Sequence, residues 1–588
     1  MRKIPTTDGL LVAFHWCWVA ALIVSLLTGL RIAADAADEP TFSRALGLIA
    51  LTGSVYWLHY LAGVMLAAVA TGYGVYLALG QLAGRFALPT GTIRLMLTWD
   101  GRSAWRVRNV LIYYTIFALI ACQMVGGSML YLGVVPPLGV AWLIRFHQYT
   151  AYALVLVAVL HVASQYAFGA AKPASGVGRL AAGLFWLLKM LRPKFAHRAT
   201  PGSIQLSTNA AAMVLAIAAT VATGGGLLAI DRSLLSTLTI ERIDPQVAPI
   251  LDGVDDDPVW ARARRLRVHT RRGINLPRGA SMVEIQAVAT AETVFFKCRW
   301  EDPTRSLKHL LLIKRADGWH LLHQQFDLED ENLYYEDKFG LLFSRSSEIA
   351  GGGTVHLGPK PIPGLPDGLS RRSLHYTIDD AIVDFWHWRS VRSQPTGHAD
   401  DNYFGPLVEP TPEQVAGEAR YKGGFVFDPG KAGYKYNFRR QGPGGYRGPL
   451  QPIYLPIDLE ALQSRLKPIV SAPNVSDSAA WFMNEGETAP YDPAIDARIP
   501  VGTIIPSITL NASGWEGDRA DLSSGARWVD RHWTLEIARK LDTGSSFDVA
   551  ITTDAPIYLW VSVFDHTQTR HSKHIRPVKL VLAPLPTS

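Results

Sequence analysis

Five long apolar runs cross the first 230 residues, and no run of that length follows. They cover about 10–32, 55–79, 110–132, 140–168 and 210–230. Each approaches the roughly 20 residues that a helix needs to cross a bilayer, so the pattern predicts five transmembrane helices. Beyond 230 the period changes. Residues 282–288 alternate apolar and polar, and 294–300, 310–313, 526–537 and 557–564 read as further strands separated by Gly, Pro and Asp turns. That pattern predicts an all-β sandwich. The acidic stretch Asp252 to Asp257 before Trp260 reads as a turn with a core anchor. Residues 351–369 and 423–452 show no period and read as Gly- and Pro-rich loops or insertions. The expected fold class is α + β multidomain, divided at 1–200, 201–248 and 249–588.

Four histidines fall inside the apolar runs: His15, His59, His147 and His161. A single histidine in a span usually hydrogen-bonds a neighbouring helix. Here His147 and His161 share one run, fourteen positions apart. Four helical turns take about 14.4 residues, so both project from one face, separated by roughly 21 Å along the axis. Ionisable groups at such depths are costly and functional by default. Two ring nitrogens on one stripe, with one histidine on each of two other spans, suggest axial ligands for two stacked haems.

Charge sets the expected orientation. Arg2, Lys3, Arg85, Arg94, Arg102, Arg106, Arg108 and the basic residues between Lys172 and Arg198 fall in one set of loops. Only Arg31, Arg44 and Arg145 fall in the other. The excess of positive charge on one side predicts a cytoplasmic N-terminus, and five crossings then put residues 231–588 outside. Residues 179–192 read as an amphipathic helix on the cytoplasmic surface. The net charge of +7 comes largely from these loops, which points to membrane topology and away from nucleic acid. Arg2 and Lys3 before the first run imitate a secretion signal, with Ala34-Asp35-Ala36 as a cleavage site. The run is long for a signal core, however, and it contains a histidine. This topology pairs His59 with His147 near the outer face and His15 with His161 near the inner face. Of the 3 cysteines none forms a CxxCH motif, so any haem is held non-covalently, as haem b. No nucleotide loop or catalytic triad pattern is evident.

The first 200 or so residues resemble the membrane b-type cytochrome subunits of nickel–iron hydrogenases and formate dehydrogenases. His15-Trp16, His59 and the His147/His161 pair carry the resemblance. It implies a four-helix bundle with two b haems that exchanges electrons with quinone. The fifth span and the large second half depart from the simplest members of that family.

The second half resembles the haem-binding gamma subunit of ethylbenzene dehydrogenase. The matching stretches are Leu251 to Trp260, Arg299 to Thr304, Glu336 to Phe339, Asp384 to Arg389, Arg527 to Trp533 and Val563 to His566. The resemblance implies a β-sandwich holding one b haem through a Met and a Lys. At the Met position this chain has His356-Leu357-Gly358, and near the Lys position it has His571, Lys573 and His574. A histidine in place of each ligand gives His356 with His571 or His574. His387, between two tryptophans, reads as a supporting partner or a packed core histidine.

The expected protein is a multi-pass electron carrier of the bacterial inner membrane, with a periplasmic C-terminal domain. It would work between quinone or quinol in the lipid and a periplasmic redox protein or oxidoreductase subunit. Two rival readings follow from the same residues: a catalytic membrane reductase or dehydrogenase, and a cytochrome carrying a haem-free ligand-binding sandwich.

Overall fold

The apolar runs are helical in the computed structural model of the chain. It describes residues 7–34, 55–80, 102–132, 137–167, 209–323, 331–347, 374–377, 381–417, 419–440, 448–467 and 474–585, with short pieces at 87–88, 92, 204–205, 355–356, 365–366, 369 and 472. The surface helix expected at 179–192 lies outside the described residues. Among the described residues five helices are long and apolar enough to cross a membrane. They are α1 (Gly9–Ala34), α2 (Val55–Leu79), α3 (Arg102–Leu132), α4 (Pro137–Ala167) and α5 (Ala210–Ser233). This α + β layout, apolar helices followed by a large curled sheet, is the one the hydropathy pattern predicts. The chain divides into two units, residues 1–29, 58–135 and 139–234 in one and residues 30–57, 136–138 and 235–588 in the other.

In the helical unit the ends are capped by short polar side chains. Asp8 Oδ1 accepts the backbone N–H of Leu10 at 3.0 Å, and its other oxygen accepts the Tyr76 hydroxyl of α2. Asn209 caps α5 by accepting from Ala212 at 3.0 Å. α5 packs closely on α2 at Gly72. A Cβ there would overlap the Thr220 hydroxyl and lie 2.8 Å from the Ala216 carbonyl oxygen. Ala216, Thr220 and Gly224 recur every fourth residue, the small-residue spacing that lets apolar helices approach closely.

The second unit is built on a 12-stranded sheet. Its strands are β1 (Thr237–Arg242), β2 (Leu266–Arg271), β3 (Ala280–Ala289), β4 (Thr293–Glu301), β5 (Lys338–Ser344), β6 (Val383–Arg389), β7 (Asp400–Phe404), β8 (Phe425–Phe427), β9 (Ser523–Val529), β10 (His532–Lys540), β11 (Ile557–Phe564) and β12 (Val578–Leu582). The order is β8-β7-β6-β5-β11-β12-β1-β3-β4-β10-β9, with β2 beside β3. The sheet curls so that its two halves face each other across a dry aromatic core. Trp300 of β4 stacks on Phe339 of β5 at 4.4 Å, and Phe296 of β4 meets Trp386 of β6 at 5.7 Å. A smaller five-stranded sheet, which includes Gly318–Leu321 and Leu450–Pro452, packs its own core around Leu312, Trp319 and Leu455.

Three expectations change: residues 423–452, read as loops or insertions, hold β8 and the short strands Tyr434–Tyr436, Phe438–Arg440 and Leu450–Pro452. The single strand expected at 526–537 is a hairpin of β9 and β10. Asp530 (φ 49°) and Arg531 (φ 62°) make the turn with two left-handed residues, a geometry that matches the twist of paired strands. Neither residue is the glycine or asparagine that would have signalled it. The Asp252 to Trp260 stretch ends in a short helix, Pro258–Arg262, in addition to its turn. Glu536 of β10 ties the stretch down, accepting from Gly253 N at 2.9 Å and from the Trp260 indole at 2.6 Å.

Arg539 of β10 fixes one half of the curled sheet to the other. It is 1% exposed, donates to Asp384 of β6 at 2.8 Å, pairs with Asp548 at 3.0 Å and lies over the Trp386 ring at 4.8 Å. Asp401 of β7 stands 3.5 Å away. Burial pushes the Asp384 carboxyl up to about 7 even beside this guanidinium. Removing the cation leaves several buried carboxylates uncompensated. Arg539→Met is therefore expected to cost about 3–5 kcal/mol, read as a lowered melting temperature of the full chain. A melting curve matching wild type would contradict the role given to Arg539.

Candidate functional site

The helical unit brings the four span histidines together in two pairs. His15 and His161 have ring centres 6.5 Å apart, and His59 and His147 have ring centres 6.2 Å apart. A nitrogen-to-metal bond is about 2 Å, so two imidazoles on opposite sides of one metal ion have centres roughly 6 Å apart once each ring's own radius is added. Imidazoles in direct stacking contact stand closer. The donor set and its spacing therefore fit a haem iron held between each pair.

The neighbours of each ring bear on which nitrogen is available. His59 Nδ1 donates to the Ser25 carbonyl at 3.0 Å and lies 2.9 Å from the Thr28 hydroxyl, which leaves the Nε2 lone pair for a metal. Glycines lie against two of the rings. A Cβ at Gly29 would come within 3.1 Å of His59 Cε1, and one at Gly127 within 3.1 Å of His147 Cε1. Gln123 of α3 donates to the His147 carbonyl at 2.7 Å and so ties α3 to α4 at the level of that histidine. Sequence reading passed over Gly29, Gly127 and Gln123. The signal was present as a Gly-Gly step following a glutamine inside an apolar run.

In the β unit, strand alternation sends opposite faces to different work. Phe339, Leu341, Trp386, Trp388 and Val563 point into the dry core. Lys338, Phe385, His387, Arg389, Ser562 and Phe564 point the other way and floor a cavity of about 670 Å³. Gly340 lies beneath the Phe385 ring, where a Cβ would be 2.7 Å from the Ser562 hydroxyl oxygen. His571, Lys573 and His574 line the same cavity, as do Arg420 and Lys422.

The cavity holds several imidazoles in distinct states. His571 Nδ1 donates to the Ser572 carbonyl at 2.7 Å. His574 Nδ1 accepts the Val561 N–H at 3.4 Å, and His387 Nδ1 accepts from Arg389 at 3.0 Å. Low-polarity surroundings push His571 down to about 4 and His574 down to about 3, so both are neutral near pH 7. The same surroundings lower Lys573 to about 8. His375, which the sequence did not single out, stands with its ring centre 6.1 Å from that of His571 and is pushed down to about 3. His356 lies in the two-residue strand Val355–His356, where Val355 is opposite His375. The side chain of His356 is outside the described residues. His375 falls in a stretch with no alternation or motif, so nothing in the sequence marked it.

His309, 1% exposed, also lines the cavity and meets Glu336 at 3.0 Å, and Arg392 donates to the same carboxylate. Burial lowers His309 to about 4, while the Arg392 charge holds Glu336 below the usual carboxylate range. The folded protein thus keeps His309 neutral down to about pH 4, whereas the unfolded chain protonates it near 6.5. Falling pH favours the unfolded chain across that window. His309→Gln keeps a donor for Glu336 and removes the titration. Its stability is expected to gain on wild type as pH falls from 6.5 to 4, by up to about 1.4 kcal/mol per pH unit, read from melting curves across that range. Parallel profiles for the two proteins would contradict this.

Comparison with known proteins gives two results in the β unit. Among solved structures, a carbohydrate-binding module of family 9 from Caldicellulosiruptor kristjanssonii in complex with cellotriose overlaps at a TM-score of 0.21 and 7% identity, covering 60% of this chain and 100% of that one. The same module with glucose gives a TM-score of 0.21 and 7% identity, with coverages of 60% and 98%. No curated protein matches the chain. The family model described as ethylbenzene dehydrogenase matches residues 257–576, more than half of the chain and nearly all of the β unit. The chain belongs to the ethylbenzene dehydrogenase family.

Proposed function

We propose that the chain is a membrane-bound b-type cytochrome that carries electrons between the quinone pool and a redox partner on the outer face of a bacterial inner membrane. The observation that carries this reading is the double pairing of histidines in the helical unit, His15 with His161 and His59 with His147, each near the spacing that one metal ion between two imidazoles requires. The resemblance of this unit to the cytochrome b subunits of hydrogenases and formate dehydrogenases supports it, as does membership of the β unit in a redox family. A third haem b is proposed in the β unit, where the cavity of about 670 Å³ offers imidazoles, aromatic walls and cations.

Bound haem would supply a one-electron centre, and His15 with His161 and His59 with His147 would hold the irons, a donor set that suits electron transfer. The chain's own residues provide the rest. Ser25 and Thr28 hold His59 by its Nδ1. Gly29 and Gly127 leave room for the rings of His59 and His147, and Gln123 fixes the height of α4. The apolar helices exclude water from these groups. The excess of Lys and Arg in one set of loops supports an N-terminus inside and a β unit outside.

Redox titration of single variants of the full chain tests the pairing. His59→Ala and His147→Ala are expected to abolish one spectral component and spare a second. His15→Ala and His161→Ala are expected to abolish the second and spare the first. Loss of the same component in His15→Ala and His147→Ala would refute the pairing, and unchanged spectra in all four would refute haem ligation by the span histidines.

A further inference from the structure

We infer that the haem of the β unit is held by His375 and His571, an imidazole pair in place of the Met and Lys of the resembled subunit. The inference rests on the reading that this unit carries a haem at all, and it names the residues that do the holding.

Spacing is the first support. The ring centres of His375 and His571 are 6.1 Å apart and tilted by 31°. The two pairs in the helical unit stand at 6.2 and 6.5 Å, in a wholly different fold. An imidazole lying flat on a ring stands closer, as His398 does on Trp515 at 4.8 Å.

Hydrogen bonding is the second. A neutral imidazole offers a lone pair on one nitrogen only, and the partner of the other nitrogen decides which. His571 donates through Nδ1 to the Ser572 carbonyl at 2.7 Å, so its Nε2 carries the lone pair. His574 and His387 are in the opposite state. Each accepts a hydrogen bond at Nδ1, from Val561 and Arg389 respectively, so each presents an Nε2–H that cannot ligate a metal. Of the two C-terminal histidines flanking Lys573, only His571 is prepared to bind iron.

The surroundings are the third. Each imidazole is backed by a phenyl ring, His375 by Phe404 and His571 by Phe564, both with ring centres 4.6 Å away. Arg420 and Lys422 line the same cavity and bring two cations within reach of the two carboxylates that a haem carries. His387 Nε2 is buried without a hydrogen-bond partner among the described residues.

The test uses the full chain purified in detergent, with haem counted chemically and spin state read by electron paramagnetic resonance. Wild type is expected to hold three low-spin haems. His375→Ala and His571→Ala are each expected to take the low-spin signature of one haem away and leave the other two unchanged, while His574→Ala keeps all three. His375→Met, which retains a ligand, is expected to keep three haems and raise the midpoint potential of one. A wild-type count of two would refute a haem in the β unit and this inference with it. A count of three that His375→Ala and His571→Ala leave low-spin, with no shift of potential in His375→Met, would refute the ligand assignment and leave the β-unit haem standing.

Discussion

Two serine carbonyls, Ser25 in the helical unit and Ser572 in the β unit, each accept the Nδ1–H of a histidine. That bond settles the tautomer of the ring, and with it the direction in which the ring can offer a lone pair. One proposed ligand in each unit, His59 and His571, is set in this way. A histidine held by Nδ1 presents Nε2 to its partner across a gap of one metal ion. A histidine that accepts at Nδ1, as His387 and His574 do, presents a proton instead. The same residue type thus serves as ligand or as supporting donor, and one backbone or side-chain neighbour makes the difference.

The β unit shows how a sheet can separate stability from chemistry by alternation alone. In β5, β6 and β11 one set of side chains closes the aromatic core and the intervening set floors the cavity. Arg539 joins the two halves of the sheet on the core side and stays away from the cavity. Gly340, beneath the Phe385 ring, marks a point where the cavity floor has no room for another side chain. Charge on the cavity side is restrained by burial. Lys573 is lowered to about 8, and His375 and His574 to about 3, so the imidazoles remain neutral.

Much of this was legible in the sequence. Apolar run length marked five helices long enough to cross a membrane, and the fourteen-residue spacing of His147 and His161 put two imidazoles on one helical face. Period-two alternation gave β3, and runs bounded by turn residues gave β4 and β11. What escaped has physical reasons. The turn at Asp530 and Arg531 uses left-handed backbone without the residues that usually announce it. His375 comes next to His571 only because distant segments fold over the same sheet face, and no local period records that. Gly29 and Gly127 look like ordinary small residues until the ring opposite each one is known. The choice between His571 and His574 turns on hydrogen bonds of 2.7 and 3.4 Å that adjacent positions in a sequence cannot distinguish.

The central claim is that imidazole pairs, two in the helices and one in the sheet, hold every haem in this protein. Integrated electron paramagnetic resonance of the oxidised full chain, set against protein concentration, measures this most directly. Three low-spin centres per chain and no high-spin centre are predicted. Fewer than three low-spin centres, or a high-spin centre in the intact wild-type protein, would contradict the account.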